Sequence, residues 1–301
     1  MTIQEKIAKL KQEKDAVILA HYYVDGEVQD VADYVGDSFH LSKLAQGLTN
    51  STIVYCGVDF MGESGKLLSP NKQVLMPDLT ADCPMAHMVH KEDVDRYRSK
   101  YEDLAVVCYI NSTAEIKTWS DVCVTSANAL KVVRGLPNKD ILFIPDKNLG
   151  HYVAQQIPEK NVMVLDGYCP IHEHIDPNEI KELKSAHPQA QVLVHPECRA
   201  QVLELADYVG STSGILKHAA ESDATEFIVG TEVGVRHALE RDNPNKTFYF
   251  PKTTPTCPGM KTITLEKILH VLETGENQAS VPVEVADAAG HPLKRMLELA
   301  K

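Results

Sequence analysis

One pattern of residues occurs three times along this chain, at nearly equal intervals. The segments VILAHYYV, AVVCYINS and QVLVHPEC superimpose without a gap, together with Asp33, Asp121 and Asp207 and the motifs GDS, VTS and GST that follow them. Three further sets of positions step by 88 and then 86 residues: His21, Tyr109 and His195; Tyr23, Asn111 and Glu197; Ser38, Ser126 and Thr212. A register shared by so many positions predicts three homologous units.

Each unit is predicted to contain parallel β-strands alternating with helices. Eight short runs rich in β-branched residues are typical of buried strands, and amphipathic segments separate them: VILAHYY, TIVYCGV, VVCYINS, ILFIPD, VMVLDGY, VLVHPEC, EFIVGTE and TFYF. This alternation favours the α/β class with mostly parallel sheets. We place the units at residues 1–85, 86–171 and 172–260, and a C-terminal helical segment that packs on the core at 261–301.

Both ends of the chain are predicted to be helical. Thr2 and Glu5 have the spacing of a capping box, which opens a helix that buries Ile3, Ile7 and Leu10. Near the other end, a stripe formed by Leu265, Ile268, Leu269 and Leu272 is followed by Gly275. Glycine is the residue most often found just after a helix, so this second helix is expected to end there.

The seven cysteines fall into two groups. Cys83, Cys169 and Cys257 are separated by 86 and 88 residues and each precedes a proline, whereas the other four share neither property. The four others lie in apolar runs and are expected to be core residues: Cys56, Cys108, Cys123 and Cys198. Residues beyond the ends of parallel strands face the ligand crevice, so three crevices on one pseudo-threefold axis would bring the trio together. Three such thiolates favour a metal centre between the units.

Composition narrows the classes of partner. The chain has 42 acidic and 30 basic side chains, a net charge of −12, and no basic run, which disfavours nucleic acid and membrane surfaces. The N-terminal segment has no apolar run of the kind found in signal peptides, and an odd number of cysteines disfavours a disulfide framework. We therefore expect a cytoplasmic protein with reduced thiols. An anionic substrate must then be bound by hydroxyls, backbone N–H groups and helix N-termini.

Nine motifs resemble the quinolinate synthases, and the resemblance covers nearly the whole chain: AHYYVDGEVQDVADYVGDS, GVDFMGESGKLL, CPMAHM, YINSTAEIKTWSDVCVTSANA, PDKNLGHYVA, GYCPIHE, HPEC, YVGSTSG and PTCPGM. It implies three Rossmann-like αβα domains with pseudo-threefold symmetry around a central active site. It also implies a 4Fe-4S cluster with one ligand from each domain, here Cys83, Cys169 and Cys257. Three protein ligands leave one iron open to act as a Lewis acid.

The reaction implied by the resemblance is the condensation of iminoaspartate with dihydroxyacetone phosphate, which yields quinolinate, phosphate and two waters for NAD biosynthesis. An L-aspartate oxidase or an aspartate dehydrogenase is expected to supply the iminoaspartate. Tyr23, His195 and Glu197 match the proton-transfer residues of the family, with the carboxylate expected to orient the imidazole. The positions that hold the substrates or the ring precursor match His21, Ser38, Tyr109, Asn111, Ser126, His172 and Thr212.

Some positions lack an assigned role or depart from the family pattern. Met61 matches a position that lines the site, although a methionine at a strand end also fills gaps in a core. Lys147 and Asn148 follow a strand of the second repeat and have no assigned role. Tyr22 stands where Asn is common, and Ser213 stands where Gly is expected. The motif TPTCPGM has one cysteine where longer members have an additional Cys-x-x-Cys, so that thiol switch is expected to be missing.

Two other functions stay open on the residues alone. A mononuclear zinc or iron hydrolase or lyase could use three Cys or Cys/His ligands and an open water position. A noncatalytic metal or redox sensor could bind a small anion in the triplicate pocket. The zinc alternative predicts a colourless protein, whereas a cluster predicts a coloured one.

Overall fold

The structure is a computed structural model that describes residues 1–301. Its first third contains α1 (Ile3–Glu13), β1 (Ala16–His21), α2 (Gly26–Val31), β2 (Tyr34–Gly36), α3 (Ser38–Gly47), β3 (Thr52–Cys56), α4 (Asp59–Leu68) and β4 (Gln73–Leu75). A 3₁₀ turn (Pro84–His87) follows, and then α5 (Lys91–Arg98), β5 (Leu104–Tyr109), α6 (Ala114–Thr118), β6 (Val122–Val124), α7 (Ala129–Gly135), β7 (Asp140–Ile144), α8 (Lys147–Gln156) and β8 (Asn161–Val164).

The last third begins with α9 (Pro170–Glu173), α10 (Pro177–Ala186), β9 (Gln191–Val194), α11 (Ala200–Leu203), β10 (Tyr208–Val209), α12 (Thr212–Glu221), β11 (Glu226–Gly230), α13 (Val235–Asp242) and β12 (Thr247–Tyr249). Three helices complete the chain: α14 (Pro258–Lys261), α15 (Leu265–Thr274) and α16 (Val283–Leu299). None of the helices combines the length and the apolar character needed to cross a membrane.

The three sheets have the same topology. Their strand orders are β2-β1-β3-β4, β6-β5-β7-β8 and β10-β9-β11-β12, so the first strand of each unit lies between the second and the third. Every strand pair is parallel. Helices connect the strands and flank each sheet, as parallel pairing requires. The predicted α/β fold with three Rossmann-like αβα units is confirmed.

All eight predicted strands are present. The four additional strands are short edge or connecting strands of two or three residues each: β2, β4, β6 and β10. A run of that length shows no periodicity of its own, and it becomes a strand only because a longer neighbour pairs with it. Tertiary pairing therefore decides these four elements.

A pair of hydrogen bonds explains the aspartate shared by the three repeats. Asp33 Oδ2 accepts from the backbone N–H of Ile18 at 2.8 Å, and the Asp33 N–H donates to the Ile18 carbonyl at 3.0 Å. The same pair joins Asp121 to Val106 and Asp207 to Val192. Each aspartate thus fixes the start of a short second strand against the middle of the first strand.

The terminal helices pack against the first two units. Thr2 and Glu5 form the predicted capping box of α1, and α15 ends at Gly275, which has a left-handed backbone with φ 73°. Helix α1 packs on α15, while α16 packs across α4, α6 and α7 and so joins the first unit to the second. The boundaries at residues 85, 171 and 260 stay a prediction.

Candidate active site

The three units line one pocket of about 640 Å³. All residues predicted to be catalytic, substrate-binding or metal-ligating lie on its wall: His21, Tyr23, Ser38, Cys83, Tyr109, Asn111, Ser126, Cys169, His172, His195, Glu197, Thr212 and Cys257. The other lining residues are Asp37, Val58, Phe60, Thr125, Ile171, Glu232 and Met260. Since His21, Tyr109 and His195 stand at the ends of β1, β5 and β9, the pocket lies where the carboxyl ends of the sheets meet.

The thiols of Cys83, Cys169 and Cys257 enter the pocket from three similar turns. Each cysteine immediately precedes a four-residue helical turn that begins with proline, a residue suited to that position because its missing N–H is not needed there. Backbone N–H groups of the turns face the thiols: those of Met85 and Ala86, of His172, and of Gly259 and Met260. Burial raises the pKa of all three thiols, and these N–H groups oppose that shift.

The donor set fits an iron–sulfur cluster. Burial is the main cause of the raised pKa of Cys83, and the neighbouring Cys257 adds to it. For Cys169, the charges of Glu197 and Cys83 add to the effect of burial on the pKa. Because burial favours the neutral thiols, the three could be ionised together only if a cationic centre neutralised them. No fourth cysteine lines the pocket, so a bound cluster would keep one iron free of protein ligands.

Tyr23 reaches across the interface between the first and third units. Its hydroxyl forms hydrogen bonds of 2.9 Å with the hydroxyls of both Thr212 and Thr231. Its carbonyl accepts a hydrogen bond of 2.7 Å from Lys261 Nζ. Burial raises the pKa of Tyr23 well above its usual value, and the charge of Glu197 raises it further. The hydroxyl therefore keeps its proton at neutral pH and is oriented by two partners.

Glu197 lies at the Nδ1 edges of two stacked imidazole rings, those of His172 and His195. Its Oε2 is 2.6 Å from His172 Nδ1 and 3.7 Å from His195 Nδ1, and the ring centroids are 4.7 Å apart. The nearer partner of the carboxylate is thus His172 rather than His195, the ring it was expected to orient. Thr231 holds the far side of the His172 ring, with 2.9 Å between its Oγ1 and Nε2. Burial would raise the pKa of Glu197, but the two histidines outweigh it and lower the pKa to about 2.

His21 and His195 are neutral at physiological pH. Burial lowers the pKa of His21 to about 4. Burial also lowers the pKa of His195 to about 3, in spite of the nearby Glu197 carboxylate. The His195 ring is held on its other side by Ser126, with 3.1 Å between Nε2 and Oγ. Both rings can therefore act as neutral hydrogen-bonding groups toward a ligand.

Two polar atoms in the pocket wall have no partner within the protein. These are Asn111 Oδ1 and Asp37 Oδ2, both buried. Because buried polar atoms are nearly always hydrogen-bonded, these two are available to a ligand. Asp37 was not predicted from the sequence; its other oxygen accepts from the His40 N–H at 3.0 Å and so caps α3, which begins at Ser38.

Two further residues at the site, Thr231 and Glu232, were not predicted from the sequence. They follow β11 in the motif EFIVGTE. Thr231 contacts both Tyr23 and His172. Glu232 Oε1 accepts from the backbone N–H of Cys257 at 3.0 Å. Polar residues beyond a strand end face the crevice, and that rule points to these two residues as clearly as to those that follow β9.

Comparison with known proteins agrees with this geometry. The family model described as quinolinate synthetase A protein matches residues 5–298. The chain belongs to the quinolinate synthetase A family. Its relatives named quinolinate synthase include a protein of Fusobacterium nucleatum, 51% identical over 298 residues that cover 99% of each chain. A protein of Clostridioides difficile is 49% identical over 98% of this chain and 97% of its own. A protein of Aquifex aeolicus is 46% identical over 99% of this chain and 94% of its own.

Three residues considered from the sequence lie outside the pocket of this quinolinate synthetase A family member. Asn148 Nδ2 donates to the Glu197 carbonyl at 3.0 Å, so it supports the loop of a lining residue. Lys147 pairs with Glu173 at 3.6 Å. Met61 is buried in the core and does not line the pocket, as expected for a methionine that fills a gap in a core.

The two departures from the quinolinate synthetase A family pattern lie near each other. Burial raises the pKa of Tyr22, and the Ser213 side chain opposes that shift. Neither residue lines the pocket. Both substitutions therefore lie beside the site without forming its wall.

A smaller group of donors inside the pocket could in principle hold one metal ion. The ligand atoms of Cys169, His172 and Glu197 lie within 4.8 Å of one another. However, His172 Nδ1 and Glu197 Oε2 are only 2.6 Å apart. Two ligands of one tetrahedral zinc ion, each about 2.0 Å from the metal, are separated by roughly 3.3 Å. The distance between His172 Nδ1 and Glu197 Oε2 is therefore too short for two ligands of one zinc ion and is typical of a hydrogen bond.

Proposed function

We propose that this chain is a quinolinate synthase, which condenses iminoaspartate with dihydroxyacetone phosphate to give quinolinate, phosphate and two waters in de novo NAD biosynthesis. In this proposal Cys83, Cys169 and Cys257 hold a 4Fe-4S cluster. The observation that carries the proposal is the convergence of three Cys-Pro turns, one per unit, on a pocket lined by imidazoles and hydroxyls. When bound, such a cluster supplies a Lewis-acidic iron that assists the loss of hydroxide.

Both substrates are anions, and local donors must bind them because the chain has a net charge of −12. Ser38 and Thr212 are the first residues of α3 and α12, and Ser126 lies just ahead of α7. Helix N-termini attract anions through free N–H groups and the helix dipole. These three hydroxyls support the binding of phosphate and carboxylate groups. The unpartnered Asn111 Oδ1 is an acceptor and would bind an N–H or O–H group of the ring precursor.

Proton transfer is assigned to Tyr23, His195 and Glu197. Each leaving oxygen needs a proton, and Tyr23 is suited to deliver one because its raised pKa keeps the hydroxyl protonated. His195 starts neutral, because burial lowers its pKa to about 3 although the anionic Glu197 at 3.7 Å opposes that shift. The ring is therefore assigned to pass a proton on within a hydrogen bond rather than to hold it. His21, Tyr109 and the remaining predicted binding residues would hold the ring precursor between these groups.

The proposal also covers the setting of the reaction. We place the protein in the cytoplasm, with small-molecule substrates and no nucleic acid or membrane partner. Its functional partner would be an L-aspartate oxidase or an aspartate dehydrogenase, because iminoaspartate must be produced from aspartate as it is used.

The direct test is quinolinate formation by anaerobically purified protein, with iminoaspartate produced in the assay by an L-aspartate oxidase. We expect product that requires dihydroxyacetone phosphate and that disappears when the protein is exposed to air. A protein with full iron and sulfide that forms no quinolinate would refute the proposed reaction.

Ligand assignment is tested by Cys83→Ser, Cys169→Ser and Cys257→Ser, with Cys198→Ser as the control. Each of the first three is expected to lose the visible absorbance and bound iron of the cluster, since no fourth cysteine lines the pocket and could replace the lost ligand. The control is expected to keep both, because Cys198 is buried in the core outside the pocket. A cluster that survives in one of the three, or is lost in the control, would contradict the assignment.

The second candidate function is a mononuclear zinc or iron hydrolase or lyase. It is favoured by the group formed by Cys169, His172 and Glu197, whose donors lie within 4.8 Å. This alternative predicts one metal ion per chain and no acid-labile sulfide. Metal and sulfide analysis of the same anaerobic preparation therefore distinguishes the two candidates.

A further inference from the structure

The loops that carry the three pocket cysteines share a backbone hydrogen bond to the residue that follows the third strand of each unit. The donor and acceptor pairs are Asp59 to Ala81 at 2.7 Å, Lys147 to Gly167 at 2.8 Å, and Val233 to Pro255 at 2.8 Å. The donors step by 88 and 86 residues, and each acceptor carbonyl lies two residues before its cysteine. The three loops thus have one common support.

The residue just before each donor breaks this symmetry. It is Val58 in the first unit, Asp146 in the second and Glu232 in the third. Asp146 Oδ2 accepts a hydrogen bond of 3.1 Å from the backbone N–H of Cys169. Glu232 accepts the equivalent bond from Cys257 at 3.0 Å. Val58 has no acceptor in its side chain, so the loop of the first unit lacks this second support.

Both carboxylates hold two segments of chain together. Asp146 and Glu232 are each 0% exposed. The second oxygen of Asp146 accepts from the Leu149 N–H at 2.8 Å, and that of Glu232 accepts from the Gly234 N–H at 2.6 Å. Each side chain therefore connects a cysteine loop to the chain that follows the third strand. Both cysteine N–H groups thus have an acceptor inside the protein, and a buried N–H left without its acceptor is costly.

We propose that Asp146 and Glu232 are positioning residues that hold Cys169 and Cys257 in place before the metal centre assembles. Cys83 lies on the one loop in which no carboxylate accepts a hydrogen bond from the cysteine N–H. The inference rests on the proposed function only in taking these cysteines as the cluster ligands. When a cluster binds to ligands from three separate loops, those loops lose less conformational freedom if they are already ordered. Partners of the ligands, as well as the ligands, then determine how long the centre is retained.

Glu232 has a further contact that extends this role. Its Oε1 lies 3.5 Å from Lys261 Nζ, and the same Nζ donates to the Tyr23 carbonyl at 2.7 Å and pairs with Asp25 at 3.2 Å. The support of Cys257 is thus connected to the loop of Tyr23 in the first unit. No equivalent cation lies beside Asp146 among the ion pairs of the structure.

The test compares Asp146→Asn and Glu232→Gln with the control Asp59→Asn, whose carboxylate accepts no hydrogen bond from the Cys83 loop. Cluster-free protein is alkylated with iodoacetamide, and mass spectrometry follows each cysteine separately. Asp146→Asn is expected to speed alkylation of Cys169 alone, and Glu232→Gln that of Cys257 alone. Loss of the acceptor of one buried N–H predicts a change of about tenfold. The control is expected to stay within about twofold of the parent.

A uniform acceleration of all three thiols would overturn the proposal, because it would indicate general loosening of the fold. Rates unchanged at the supported cysteine would overturn it as well. The charges of Asp146 and Glu232 also raise the pKa of Cys169 and Cys257 and so slow alkylation by themselves. Asp146→Glu and Glu232→Asp, which keep the carboxylate but move it, are therefore measured in parallel, with the same site-specific pattern expected and the same outcomes against the proposal.

A measurement on the loaded protein separates this inference from the proposed function. The rate of iron release to a ferrous chelator is expected to rise in Asp146→Asn and Glu232→Gln but not in Asp59→Asn. A parent protein that retains its cluster, with both variants retaining it equally well, would refute the inference alone. A parent that assembles no cluster would refute the proposed function, whereas the alkylation pattern would still report on the loops.

Discussion

Replacement of Tyr23 by phenylalanine removes one hydroxyl that contacts two units of the protein. The lost hydrogen bonds are those to Thr212 and Thr231, each 2.9 Å long. Thr231 keeps its contact with His172. The aromatic ring, the backbone and the hydrogen bond from Lys261 to the Tyr23 carbonyl stay in place. Tyr23→Phe therefore tests the hydroxyl with little other change.

Stability and activity are expected to respond on different scales. Two neutral hydrogen bonds contribute about 1–3 kcal/mol together to the free energy of unfolding. A proton donor positioned in the transition state contributes a factor of about 10²–10⁴ to the rate. Tyr23→Phe should thus fold, bind its iron and lose at least about two orders of magnitude in quinolinate formation. Initial rates under anaerobic conditions, iron content and denaturant unfolding of cluster-free protein measure these quantities.

Tyr22→Phe is the matched control, because it removes a neighbouring hydroxyl that lies near Ser213 outside the pocket. It is expected to cost about 1 kcal/mol or less and to leave the rate within about threefold of the parent. If Tyr23→Phe with full iron content were no slower than Tyr22→Phe, Tyr23 would have no part in proton transfer.

Two further predictions concern packing and pH. A Cβ at Gly259 would overlap the Asp82 carbonyl, so Gly259→Ala is expected to cost about 1–3 kcal/mol of unfolding free energy and to weaken cluster retention. The control is Gly290→Ala, because no atom lies within 4 Å of the added methyl group. Equal effects of the two substitutions would contradict the reasoning. The pKa of His21 falls from 6.5 to about 4 on folding. Between those pH values the unfolded chain therefore binds a proton that the folded chain does not. The free energy of unfolding should fall by about 3 kcal/mol as the pH drops to 4. His21→Gln should reduce that loss in denaturant unfolding of cluster-free protein, and the exposed His40→Gln should not; equal pH profiles would exclude His21 as the cause.

The repeated register was sufficient to predict the fold because it involves residues that direct the backbone. Asp33, Asp121 and Asp207 bond to the first strand of their units in the same way, and the three Cys-Pro pairs open the same helical turn. A pattern that specifies local backbone hydrogen bonds three times over specifies the same topology three times over. The short strands β2, β4, β6 and β10 have no such pattern and depend on their neighbours.

The composition of the pocket was also predictable, whereas the contacts inside it were not. Residues that follow strand ends were identified because the parallel sheet rule applies to each unit separately. Which imidazole Glu197 contacts depends on how α9 packs against the loop after β9, and that packing places His172 nearer than His195. Met61 lies in α4, and only the packing of that helix decides that its side chain fills the core.

The sequence by itself determined the three-unit α/β fold, the two classes of cysteine and the repeated polar residues of one shared pocket, because each of these follows from local pattern and its repetition. His172 was identified only through the family resemblance. Only the tertiary structure decided which side chains touch across the units. Tyr23 and Thr231 are 208 residues apart in the chain, and Lys261 and the Tyr23 carbonyl are 238 apart. Contacts of that separation depend on how the three sheets pack, as does the support of Cys169 and Cys257, but not of Cys83, by a buried carboxylate.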